Sequence, residues 1–139
     1  MTQIFFQENR GSISMNDGQP STDSETLVQL ALEMWKLLRA FERLLSEMPE
    51  EKAGKRRAQL RYSKSKLDTL LENAGLRILL FDGQKYSANL PISPLNSEEV
   101  DGPGDSFVES TIEPTIIGDN SIFHTGKVML TGENNVSGN

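Results

Sequence analysis

The side chains that could perform chemistry in this 139-residue sequence are few and stand far apart. His124 is the only histidine and there is no cysteine, so neither a histidine-cysteine metal site nor a thiol nucleophile is possible. No serine lies in a Gly-x-Ser-x-Gly motif, and the acidic pair Glu98-Glu99 stands in a loop rich in glycine and proline instead of a rigid pocket. We therefore expect a protein that is not an enzyme and that uses no metal, cofactor or small-molecule substrate.

The charges are distributed very unevenly along the chain. The net charge is −6, but residues 51–66 carry seven bases and one acid, which gives +6 locally and leaves −12 for the rest. The plainest interpretation of this basic segment is a solvated helix face, and a contact with an acidic protein surface is the functional one. RNA binding is a weaker alternative, because the acidic remainder repels phosphates and Tyr62 is the only aromatic residue in the segment.

Apolar runs long enough to enter a membrane are missing from the sequence. The longest are Ile4-Phe5-Phe6 and the strand-sized stretch 78–81, whereas a membrane-spanning helix needs about 20 apolar residues. A sequence without cysteine suits a reducing compartment. We expect a soluble cytoplasmic protein without membrane contact.

The sequence pattern divides the chain into four parts. Residues 1–21 and 132–139 are polar and are expected to be disordered tails. A capping motif at 22–25 predicts the start of a first helix, and Pro49 and Gly75 bound a second one, so 22–75 forms a helical region. In 76–131 short apolar runs alternate with turns, among them Asp82-Gly83 and 118–120, and predict a small antiparallel β-domain. The fold class is therefore α+β.

The first helix carries apolar residues at three positions of a seven-residue repeat. Such a stripe is wide enough to face more than one neighbouring helix, and the second helix supplies a sparser apolar set. We therefore expect two chains to form a dimeric four-helix bundle; the alternative is that the stripe packs on the β-domain of its own chain. The expected dimer interface consists of Leu27, Leu30, Met34, Leu37, Leu38, Phe41, Leu44, Leu45 and Met48.

The order of these segments, with their local motifs, resembles the GrpE family. Leu37–Leu45 is similar to the family's L-x-x-x-L-x-N-L-E-R-A-L stretch, and Leu67–Leu76 is similar to its L-x-x-x-L-x-x-x-G-[VL] junction between bundle and sheet. Asp82–Tyr86 stands at the family's G-x-x-[FY] turn, and the rhythm of 108–112 and 122–130 is similar to its closing strands. The family's F-D-P and H-E-A signature is absent, as is its long N-terminal stalk, so the chain resembles a shortened and divergent member.

The resemblance implies a homodimer that binds the ATPase domain of a DnaK-type chaperone through its helices and one β-domain. Such a factor holds the nucleotide cleft open, so that ADP leaves sooner. A dimeric scaffold of the same fold without exchange activity is the alternative. By this resemblance and by charge, the expected partner contacts are Arg56, Arg57, Glu113, Pro114, Thr115 and Ile116.

Overall fold

Two helices are followed by two small sheets in the computed structural model, which describes residues 22–99 and 105–132. The expected α+β fold is confirmed by this order of elements. The predicted tails lie outside the described residues, except for Gly132, which ends the last strand. The elements are α1 (Thr22–Ser46), α2 (Glu50–Asn73), β1 (Arg77–Leu79), β2 (Ile92–Pro94), a 3₁₀ turn (Ser97–Glu99), β3 (Ser106–Glu113), β4 (Thr115–Ile117), β5 (Ile122–His124) and β6 (Gly126–Gly132).

The helices α1 and α2 form an antiparallel hairpin. Leu45 near the end of α1 packs on Ala53 near the start of α2, whereas Val28 packs on Leu71 at the opposite end. The helix α2 stops where the sequence predicts, because Gly75 takes the left-handed conformation with a φ of 79°. The chain then turns directly into β1.

The strands form two three-stranded sheets. The first has the order β1-β4-β5 and is antiparallel throughout, and the predicted hairpin turn at 118–120 joins β4 to β5. The second has the order β2-β6-β3, in which β3 runs antiparallel to β6 and β2 runs parallel to it. The expectation of a purely antiparallel β-domain is therefore wrong for this one pairing, which involves the short strand Ile92–Pro94.

The turn at Asp82-Gly83 forms, but it does not close a hairpin. Gly83 has a φ of 85°, yet the residues after it pair with β3, through hydrogen bonds from Tyr86 N to Ser106 O and from Val108 N to Gln84 O, each 2.8 Å long. An Asp-Gly turn favours a tight hairpin, in which 84–86 would return along β1, but these residues pair with β3 instead. Two separate cores explain the difference, because β1 packs under the helices while the chain after the turn packs on the second sheet.

Three apolar clusters hold these elements together. One joins both helices to the first sheet and includes Val28, Leu71 and Ile116. A second lies within the second sheet and is built from Ile92, Val108, Val128 and Leu130. The third closes the end of the helical hairpin around Leu45. Because the first cluster contains residues of both helices and of the first sheet, α1 is anchored to the β-domain along part of its length.

Candidate protein-binding surface

An apolar stripe on α1 stays exposed in the single chain. Leu30, Met34, Leu37 and Leu44, here called the α1 stripe, keep 44 to 66 % of their accessible surface. Their spacing of four, three and seven residues puts them on one side of the helix. An exposed row of large apolar side chains at this spacing is typical of a helix that packs against another protein surface.

The other residues of the expected dimer interface face their own chain. Leu45 is fully buried, and Leu38, Phe41 and Met48 pack partly buried around it, while Leu27 packs on the cluster that contains Ile116. The wide stripe predicted from the sequence is therefore divided in two. Its inner part covers α2 and the first sheet, as the single-chain alternative expects, and its outer part, the α1 stripe, remains open.

Glu113 connects α1 to the β-domain through a cluster of ionic contacts. One of its carboxylate oxygens lies 2.9 Å from His124 Nε2 and 3.7 Å from Lys127 Nζ, and the other lies 3.5 Å from Lys36 Nζ on α1. Glu113 and His124 retain 16 % and 19 % of their side-chain surface, whereas both lysines are more exposed. The cluster joins three strands and one helix at the point where the chain passes from one sheet to the other.

The environment of Glu113 lowers its pKa. Burial by itself raises the pKa of this carboxyl group, but the hydrogen bond to His124 and the positive charges of Lys127, His124 and Lys36 lower it by more in total. On the helix side, hydrogen bonding to Glu33 and the charges of Glu33 and Glu113 raise the pKa of Lys36. The charged forms of both Glu113 and Lys36 are thus favoured, as expected for a structural ion pair.

The three residues that follow Glu113 in the chain were also predicted to contact a partner, but they lie in the interior. Pro114, Thr115 and Ile116 are buried, with Thr115 and Ile116 at 1 % and 0 % exposure. The Thr115 hydroxyl donates to Pro91 O at 2.9 Å and accepts from Gly126 N at 3.2 Å, so it holds neighbouring strands together. Ile116 belongs to the apolar cluster that joins the helices to the first sheet. In the single chain these three side chains present no surface to a partner, contrary to the expectation.

The two arginines singled out on α2 have different surroundings. Arg57 is only partly exposed, because its guanidinium lies 3.4 Å from Leu45 O and 3.3 Å from a Glu50 carboxylate oxygen, which fixes the turn between the helices. Arg56 is exposed, and its guanidinium donates a 3.4 Å hydrogen bond to Lys52 O. The Arg56 side chain is therefore accessible to a partner, whereas the Arg57 side chain is held by contacts within the chain.

A groove of about 250 Å³ lies between the two helices and β1. Its apolar part includes Trp35 and Leu80, and Arg39 stacks over the Trp35 ring at 5.0 Å from the ring centre. A 3.7 Å ion pair between Lys64 and Glu42 lies at the same groove. The sequence pattern did not indicate this groove, because it needs β1 to pass beside the hairpin.

No group of three or more His, Asp or Glu side chains within residues 22–99 and 105–132 is arranged to hold a metal ion. In the same part of the chain, no helix combines the length and apolar character that crossing a membrane requires. Comparison with known proteins gives no match, neither to a protein-family model nor to a curated protein nor to a solved structure. The surfaces described above are therefore the basis for a functional proposal.

Proposed function

We propose that the chain is a homodimeric, non-enzymatic binding protein of the cytoplasm that acts as a GrpE-like nucleotide exchange factor for a DnaK-type chaperone. The observation that carries the proposal is the exposed α1 stripe on a helical hairpin that is continuous with a small β-domain. A hairpin with one open apolar side and an attached β-domain suits a dimeric stalk that presents two β-domains.

The dimer part of the proposal has an energetic argument. Full burial of a leucine or methionine side chain contributes about 1.5 to 3 kcal/mol. The stripe residues are 44 to 66 % exposed in one chain, so covering them in two chains contributes about 7 to 14 kcal/mol. Association costs about 4 to 15 kcal/mol. The two ranges are similar, so stripe burial offsets the cost of association, and the other contacts of the interface must supply the roughly 8 kcal/mol that a micromolar dimer requires.

The chaperone part of the proposal is supported by the resemblance over 37–130 and by the surroundings of Glu113. The family's activity depends on binding energy alone, since the factor must prefer the open nucleotide cleft and lowers nucleotide affinity by the same factor. A rigid connection between the dimer stalk and the β-domain is useful for that task. Lys36 and Glu113 make one such connection at 3.5 Å.

Release of a fluorescent ADP analogue from a DnaK-type ATPase domain tests this function. We expect stopped-flow release to accelerate with increasing concentration of this protein and to saturate when the complex is fully formed. Leu95→Ala is a control for the loss of an exposed leucine outside the α1 stripe, and it should accelerate ADP release as the wild-type protein does. Release rates that do not change at saturating protein would reject exchange activity.

A dimeric scaffold without exchange activity is the second candidate, and one observation favours it. Pro114, Thr115 and Ile116 stand where the resemblance puts a partner contact, yet they are buried. A chain that keeps the fold but lacks that contact would still dimerise. Binding of the ATPase domain with unchanged ADP release would identify this second function.

A further inference from the structure

The helix α2 has an outward face on which an aromatic residue lies among bases. Tyr62 is 62 % exposed, and Lys55 and Lys66 are also exposed. Their spacing of seven and four residues from Tyr62 puts all three on the same side of the helix. Leu60 and Leu71 are buried on the opposite side of α2. The outward face is thus defined here as Lys55, Tyr62 and Lys66.

Glu51, four residues before Lys55, lies on the same side of α2, but no acidic side chain lies within 4.0 Å of the Lys55 or Lys66 ammonium group in residues 22–99 and 105–132. The ion pairs of α2 in residues 22–99 and 105–132 are Arg57 with Glu50 and Lys64 with Glu42. Neither pair includes a residue of the outward face. Lys55 and Lys66 are separated by about 16 Å along the helix axis. A cationic face around an exposed tyrosine therefore has the composition of a contact surface, because tyrosine is enriched in such surfaces and charges guide encounter.

We propose that the outward face of α2 is a docking surface for an acidic protein surface, with Tyr62 as its central apolar anchor. Charge complementarity carries the choice of occupant. A nucleic acid is disfavoured because single-stranded nucleic acids bind by stacking successive bases on several aromatic side chains, and Tyr62 is the only aromatic residue of the face. The identification of this acidic surface with a chaperone ATPase domain rests on the proposed function, whereas its acidic chemistry does not.

Binding of a fluorescent poly-L-glutamate peptide, followed by anisotropy at low salt, tests the chemistry of the face. Lys66→Glu and Tyr62→Ala change the face itself, and Lys66→Gln is a milder variant of the first. Arg61→Glu is the matched control, because Arg61 is exposed, belongs to the same basic segment and points about 100° away from Tyr62. We expect about tenfold weaker binding for Lys66→Glu and Tyr62→Ala and less than about threefold for Arg61→Glu.

Three results would overturn the proposal. The first is that the wild-type protein does not bind poly-L-glutamate even at low salt. The second is an equal loss for Arg61→Glu and Lys66→Glu, which would mean that net charge and not the face governs binding. The third is tighter binding of a labelled oligouridylate with the same dependence on Lys66, which would assign the face to nucleic acid. Circular dichroism of every variant verifies that the helices are intact.

The same variants separate this proposal from the proposed function. If a DnaK-type ATPase domain binds the wild-type protein and Lys66→Glu weakens that binding about tenfold, the outward face is the chaperone contact. If the ATPase domain binds both proteins equally, the face is not its contact and that identification fails. If the ATPase domain does not bind at all, the proposed function fails, while the poly-L-glutamate result still decides the chemistry of the face.

Discussion

Replacing Leu37 by alanine should dissociate the proposed dimer without unfolding the chain. Leu37 keeps 66 % of its surface in the single chain. Covering this surface in a dimer contributes about 1 to 2 kcal/mol to the free energy of association. A two-fold symmetric interface contains the residue twice. The expected loss is therefore about 2 to 4 kcal/mol per dimer, which raises the dissociation constant about 30- to 1000-fold.

Sedimentation velocity over a range of protein concentrations measures this loss directly. We expect the wild-type protein to sediment as a dimer at micromolar concentration and Leu37→Ala to sediment as a monomer there. The matched control is Leu95→Ala, which removes the same side-chain atoms from a leucine that is 54 % exposed outside the α1 stripe. Alanine is a strong helix former, so the substitution also preserves α1.

Two results would refute this reasoning. A wild-type protein that stays monomeric at micromolar concentration would show that the α1 stripe does not associate with a second copy. A Leu37→Ala protein with an unchanged dissociation constant would place the interface elsewhere on the molecule. Either result would exclude the α1 stripe as the interface of a dimer, whereas the α+β fold would remain.

The remaining predictions concern the β-domain and are measured by urea denaturation. Glu113→Gln should lower the free energy of unfolding by about 1 to 2 kcal/mol at neutral pH because it removes the carboxylate that contacts His124, Lys127 and Lys36, whereas Glu109→Gln on the same strand should lower it by less than about 0.5 kcal/mol. Folding lowers the pKa of Glu113, so its contribution to the free energy of unfolding is present above its unfolded pKa of about 4.3 and is lost as the pH falls through its folded pKa. The free energies of unfolding of the wild type and of Glu113→Gln should therefore become equal in acid. Thr115→Val should cost about 1 to 3 kcal/mol, since Pro91 O and Gly126 N lose their shared partner, and a smaller loss would mean that water replaces the hydroxyl. Gly126→Ala should destabilise by about 1 to 3 kcal/mol or more, because an added Cβ would lie 2.6 Å from Thr115 Oγ1, and an unchanged midpoint would show that the strands adjust freely.

The helical half of the molecule could be predicted from its sequence because its signals are local. The seven-residue repeat indicates α1, and the glycine at 75 ends α2 through a left-handed φ of 79° that glycine adopts without strain. The repeat could not show which of its apolar residues face the chain itself. Leu45 and Leu44 stand side by side in the sequence, yet one is fully buried and the other is 55 % exposed, a difference that depends on where α2 and the first sheet lie.

The β-domain was less predictable because its pairings are not local. Asp82-Gly83 has the composition of a tight hairpin turn, and the turn itself forms. The strand partner of the following residues is nevertheless decided by burial, since Phe81 and Tyr86 both pack on the core of the second sheet. The parallel pairing of β2 with β6 also depends on residues more than thirty positions apart, such as Ile92 opposite Gly126. No local pattern encodes such a distance.

The position of Glu113 links the dimer proposal to the function of the β-domain. The proposed contact uses the helices and one β-domain, so the position of that β-domain relative to the helices is fixed only as well as it is held to its own α1. The first apolar cluster and the 3.5 Å contact from Lys36 to Glu113 supply that attachment. A partner that must be held in one opened shape needs both contact sites at a fixed separation. Loss of the Glu113 contacts should therefore weaken exchange more than dimerisation, which separates the attachment of the β-domain from the assembly of the stalk.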